Sequence, residues 1–228
     1  MKYKLTKNFI NHKGKILYQI QSLKNFSDVK VGELGGYIES EKNLSQEGDC
    51  WIYDNAGVYG NAKVSSDARV YDNATVYGNA TVFGKAKVYG DAEVFGNATV
   101  YGNAKVYKEC WISGDAEVCG NAEVYDNARV RGNATVSGDA RVFGNAAVYR
   151  NATVFGKAKA YGNAEVFGNA AVYGNAKVYV NAEVFGDAEV FDNAKVYDNA
   201  EVYEDARVYG NARVYGKAWV YGNSLITN

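Results

Sequence analysis

The sequence predicts an all-β solenoid, and three observations predict it. A six-residue unit repeats 29 times without insertion from Trp51 to Ser224. The unit reads x-Val-Tyr/Phe-Gly-Asn-Ala: only Ile52, Ile112 and Ala160 replace its Val, only Cys110 and Ser224 replace its Ala, and the third slot is aromatic in 24 units. No proline occurs among the 228 residues, whereas 25 are glycine and 20 are tyrosine. A period of six does not fit an α-helix, and a glycine in most units would cost a helix about 1 kcal/mol each. Within a unit, Ala-x-Val alternates small-inward, variable-outward, large-inward, which is strand periodicity. Gly-Asn or Asp-Asn then supplies a corner, since both glycine and asparagine tolerate positive φ. So short a strand cannot bury its apolar side alone and must stack on copies of itself. Proline is absent because the ladder uses nearly every backbone N–H.

Residues 1–50 lie outside the repeat. Residues 4–9 and 15–23 read as two strands joined by a turn at 11–14. Ile38 and Leu44 are six apart, so an irregular first coil is expected there, with Gly48-Asp49-Cys50 entering the main register. The expected organisation is an N-terminal β-hairpin cap and irregular coil over 1–50 and a repeat domain over 51–228. A solenoid end without a cap exposes unpaired backbone groups. Hexads run to within four residues of the C-terminus, which predicts end-to-end pairing there or tight packing of the tail over that end.

The repeat resembles the hexapeptide-repeat family. The segment GELGGYIESEKNLS, followed by hexads reading YDNA and YGNA, resembles within it the YdcK-like proteins of bacteria and phages, often described as transferases. The resemblance covers residues 51–224 and implies a left-handed parallel β-helix of triangular section. Three hexads then make a coil, about ten coils in all, and at one strand spacing per coil the rod is roughly 45–50 Å long. It also implies acyl transfer and trimeric assembly, with acyl-CoA as the ligand.

With three hexads per coil, residues 18 apart stack and the outward slots sort into three columns. The first is Trp51, Arg69, Lys87, Lys105, Glu123, Arg141, Lys159, Lys177, Lys195 and Arg213, eight of them basic. The second runs from Gly57 through Trp111 and Arg129 to Glu165, Glu183, Glu201 and Trp219; the third contains Glu117 and Thr135. The edge after the first column is aromatic from Tyr53 to Tyr215. A cationic stripe beside stacked rings is how single-stranded nucleic acid or another polyanion is gripped. Asp54, Asp72, Asp91, Glu109, Asp126 and Asp198 on the same edge are expected to neutralise much of it. The net charge of −1 therefore averages over unlike faces.

The aromatic slots have one notable break, at Ser113, Cys119, Arg131 and Ser137. With Trp111 beside them and Glu117 and Thr135 between them, they predict a shallow polar depression in mid-rod, the candidate ligand site.

Other chemistry is excluded or unsupported. The one histidine, His12, lies in the cap, so residues 51–224 lack the general base that acyl transfer uses, and a three-histidine zinc site is impossible. Three widely spaced cysteines do not make a disulfide framework. Cys50 and Cys110 read as packing, Cys119 as an outward thiol. No apolar run is long enough to span a membrane, and the N-terminus lacks a signal-peptide core, which predicts a cytoplasmic protein. The expected function is a non-enzymatic rigid binding scaffold, phage- or bacteria-encoded, that sequesters an anionic small ligand or blocks a protein partner. Two alternatives stand: an acyltransferase-like enzyme using acyl-CoA, and polyanion or single-stranded nucleic-acid binding through the basic stripe. No metal is expected, and no cofactor outside the acyl-CoA alternative. The long aromatic ladders predict a homo-oligomer, trimer or dimer, side by side or through the C-terminal end. No membrane partner is expected.

Overall fold

Every corner of the rod is built at the fourth slot of the hexad. A computed structural model describes residues 1–228. In it the fourth slot of all 29 hexads has positive φ, 19 times at glycine and 10 times at another residue. The asparagine of the fifth slot does not share that conformation. Its amide instead donates to the side chain 18 residues on, as Asn133 does to Asn151 at 3.0 Å and Asn145 to Asn163 at 3.0 Å. The two corner residues thus divide the work, one turning the chain and the other tying successive corners together.

Between corners the chain is extended for two to four residues, and each strand pairs in parallel with those 18 residues away, as Lys87 does with Arg69 and Lys105. The result is the expected parallel β-helix with three faces. Two faces are ten-stranded sheets, and the third has thirteen strands because the N-terminal segment adds three. Each outward residue donates its N–H to the alanine-slot carbonyl of the next coil, as Lys87 does to Ala104 at 2.9 Å. Inside, the valine and alanine slots form one continuous core that is fully buried until the last coils.

The rings of the third slot stack in columns with centroids 4.6–5.5 Å apart and planes within 16°. Each such pair adds about 0.5–1.5 kcal/mol beyond burial. The stacking is set by the coil spacing, so it repeats wherever consecutive coils both carry a ring, except between Tyr71 and Tyr89.

At the N-terminal end, β1 (Tyr3–His12) and β2 (Lys15–Ser22) form an antiparallel hairpin, and β3 (Leu34–Ile38) joins β2 to the first coil. Ile38 pairs with Val58 and Leu44 bridges to Val64, so both residues join the parallel ladders of the first regular coil. At Gly35 and Gly36 an added Cβ would lie 2.6 Å from the carbonyl oxygens of Ile52 and Ala56, respectively, so only glycine lets β3 cross so close to the first coil. Trp51 is fully buried under Tyr3 and Phe26. Lys2 is almost fully buried, and its ammonium donates to the carbonyls of Cys50 at 2.9 Å, Gly48 at 3.3 Å and Glu47 at 3.4 Å. The Tyr3 hydroxyl donates to Leu44 O at 2.7 Å. Buried carbonyls at this end thereby gain donors.

The other end is different. The tail continues the third face, with Leu225–Ile226 paired to Arg207–Val208, and does not fold over the lumen. Ala218 is exposed although it occupies an inward slot, and Trp219 and Leu225 are 66% and 62% exposed. No helix is long and apolar enough to cross a membrane.

Candidate functional site

The first face is a register of charges fixed by strand pairing. Arg69, Lys87, Lys105, Glu123, Arg141, Lys159, Lys177, Lys195 and Arg213 follow one another on consecutive strands. The N-terminal half of this stripe is partly compensated. Arg69 pairs with Asp28 at 3.1 Å, and Glu123 pairs with Lys105 at 3.1 Å and with Arg141 at 3.3 Å. The C-terminal half is not: Lys159, Lys177, Lys195 and Arg213 form no ion pair.

The corner carboxylates do not pair with the stripe, for a local reason. Asp72 Oδ2 accepts the Gly90 N–H at 2.8 Å, and Asp198 Oδ2 accepts the Gly216 N–H at 3.2 Å. Asp91 accepts from Asn73, and Asp126 pairs with Lys108 at 2.6 Å. These groups hold the corners of adjoining coils and point along the rod axis rather than across to the first column.

In mid-rod the aromatic columns are interrupted where the sequence places Ser113, Arg131, Cys119 and Ser137. On the second edge the rings stop at Phe95 and resume at Tyr149; on the third they stop at Tyr101 and resume at Phe155. The Arg131 guanidinium covers part of the gap, lying 4.7 Å over the Tyr149 ring. The Tyr149 hydroxyl donates to Glu165 at 2.7 Å and is pushed up to about 12 by burial and by that carboxylate. Glu117 and Thr135 are paired neighbours on the third face. Glu117 accepts from Tyr101 at 3.4 Å, and Cys119 and burial push that hydroxyl up to about 12. Ser113 and Ser137 are half-buried, and the missing rings fall on two different edges of the rod rather than on one.

Trp111 belongs to a hollow on the other side. It is 44% exposed, carries the Arg129 guanidinium 5.1 Å over its ring, and lines a cavity of about 530 Å³ with Asp91, Glu109, Asn127 and Arg129. Sequence reasoning missed Arg129, although the 18-residue spacing between Trp111 and Arg129 was the available signal.

Of the three cysteines, Cys50 and Cys110 are buried and Cys119 is half-buried. Burial pushes the Cys110 thiol up to about 12, which leaves it protonated and unreactive. His12 sits at the hairpin tip against Tyr59, and burial followed by Lys13 lowers its pKa, so it is neutral at pH 7.

A family model described as the YdcK beta solenoid repeat matches residues 68–84 and 206–222. The uncharacterized acetyltransferase YdcK of Escherichia coli (strain K12) is 48% identical over 54 residues, which is 23% of this chain and 17% of that protein's length.

Proposed function

We propose, from the premise that this chain is a β-solenoid of YdcK-type repeats, that it acts as a non-enzymatic rigid scaffold docking an anionic partner along its first face. The run Lys159, Lys177, Lys195 and Arg213 carries the reading: four cations on consecutive strands with no ion pair among them. Like charges stacked about 4.8 Å apart repel, and a partner's anions relieve that repulsion. The absence of histidine from residues 51–224 and the absence of any insertion between hexads support a rod that presents a surface rather than one that turns over a substrate. In mid-rod the ring-free slots at Ser113, Arg131, Cys119 and Ser137, flanked by Trp111, Glu117 and Thr135, would give the same partner, or a small anion, a second foothold. Side-by-side homo-oligomers are compatible with this role so long as the first face stays open.

The test is retention on a heparin matrix. The wild-type chain should be retained at low salt and released as salt rises, because binding through several cations displaces counterions. A variant carrying Lys159→Gln, Lys177→Gln, Lys195→Gln and Arg213→Gln should flow through. A wild-type chain that is not retained at low salt would sink the reading. The competing reading takes its support from the relative named as an acetyltransferase. Calorimetric titration with acetyl-CoA separates the two, since saturable binding would favour the enzyme.

A further inference from the structure

One pair of rings departs from every other stacked pair in the rod. Tyr71 and Tyr89 are successive members of the aromatic edge beside the first face, yet their centroids are 6.4 Å apart and their planes meet at 89°. The cause lies in the N-terminal segment. Phe26 and Val29 close a tight turn by mutual backbone hydrogen bonds, with Ser27 at positive φ, and this turn presents Ser27 and Asp28 to the rod. The Arg69 guanidinium donates to Ser27 Oγ at 2.6 Å and to Asp28 at 3.2 Å, and it also reaches the Tyr71 hydroxyl at 3.5 Å. Tyr53 donates to Asp28 at 2.9 Å and stacks on Tyr71 at 4.6 Å. The first two rings are therefore held to the N-terminal turn and set across the column that begins at Tyr89.

Beside this arrangement lies an open surface hollow of about 480 Å³ lined by Tyr71, Asp72, Lys87, Tyr89 and Lys105. Its size falls within the range of about 300–1,000 Å³ common for small-ligand sites. Tyr89 stacks on Tyr107 on one side only, so no parallel ring covers its other side. Lys87 is exposed and forms no ion pair, while Lys105 shares its charge with Glu123. Asp72 uses one oxygen on the Gly90 N–H, and its other oxygen accepts no hydrogen bond. A flat face, two ammonium groups and one spare acceptor thus meet in a single gap.

We propose that this gap binds a planar aromatic anion of nucleoside monophosphate size, with the ring system on Tyr89 and the phosphate on Lys87 and Lys105. Aromatic side chains stack on any base, and cations beside them take the phosphate. The spare Asp72 oxygen accepts from an exocyclic amine. The inference rests on the reading of the first face as an anion-binding surface, but it concerns the end of that face opposite to the unpaired run Lys159–Arg213.

The probe is adenosine 5′-monophosphate, titrated into the full chain and followed by calorimetry. Saturable one-site binding is expected, weakened at least tenfold by Lys87→Gln and by Tyr89→Leu, and unaffected by Lys177→Gln. Ribose 5-phosphate, which lacks the base, should bind at least tenfold more weakly than adenosine 5′-monophosphate. Circular dichroism melts of both variants check that the coils remain folded, and the Lys87→Gln arm stands alone if Tyr89→Leu does not fold. No saturable binding, equal binding of ribose 5-phosphate, or an equal loss in Lys177→Gln each overturns the proposal. The heparin test reads the other end of the face: a chain retained on heparin but blind to the nucleotide keeps the scaffold reading and loses this site.

Discussion

At the scale of single residues, the corner exerts the strictest demand. Glycine meets positive φ without strain, and aspartate or asparagine meets it at small cost, but a β-branched side chain there is a true outlier. Val180 is that outlier: it occupies a corner with φ 65, pairs with Gly162 above, and is 41% exposed. Because it buries little, removing its side chain forfeits little packing. Val180→Asn should therefore raise stability by about 1 kcal/mol, the scale of a left-handed non-glycine residue. A thermal melt reads this, and a variant that melts at or below the wild type would show that the corner is not strained. The same scale shows where the sequence was silent. Lys2 is an ordinary charged residue near the N-terminus, and its partners Glu47, Gly48 and Cys50 lie 45 to 48 residues away. No local pattern marks a lysine that a later coil will enclose. Asn133 and its counterparts were legible as corner residues, but their amide ladder depends on contacts between coils.

At the scale of strands and ladders, the 18-residue spacing made each column legible, because parallel pairing in register fixes which side chains meet. It could not give side-chain orientation. The turn of Tyr71 comes from Asp28 and Ser27, which no repeat contains, and the corner aspartates pair along the rod rather than across it. The mid-rod break was legible as missing rings, and its filling by Arg131 was not, since it depends on the reach of one side chain to Tyr149. One ladder sets a measurable pH dependence. Glu165, Glu183 and Glu201 are directly opposed on three strands, and the Glu183 carboxyl is raised by burial first and then by its two acidic neighbours. A carboxyl raised in the folded state stabilises the fold below its unfolded pKa, near 4.3, and loses that contribution as pH rises through the folded value. Glu183→Gln should then stabilise the chain at pH 7 by about 0.2–1 kcal/mol, the range for cross-strand pairs. The gain should vanish near pH 4, and urea melts at the two pH values test it. An equal gain at both would assign the effect to packing instead of charge.

At the scale of the whole rod, the two ends are unlike, and a solenoid makes that difference matter. Each coil touches only its neighbours, so stability is close to a sum of coil terms and coil–coil terms. The first coil has β1, β2 and β3 against it, with Trp51 fully enclosed and the carbonyls of Leu44 and Cys50 bonded. The last coil has one neighbour. Its strands Arg213–Val214, Trp219–Val220 and Leu225–Ile226 are the final strands of their sheets. Ala218, Trp219, Tyr215 and Tyr221 are exposed there, so opening this coil uncovers less apolar surface than opening one with a coil on both sides. Local opening should therefore begin at this end and move inward. Hydrogen exchange followed by mass spectrometry should show residues 207–228 exchanging fastest and the coils between 87 and 160 slowest, with protection rising coil by coil between them. The measurement is made at two protein concentrations. If residues 213–228 are as protected as the middle at both, the coil-sum account of this rod fails. If they are protected only at the higher concentration, the exposed strands at this end are being paired by a second molecule, which would establish the end-to-end contact that the open face predicts.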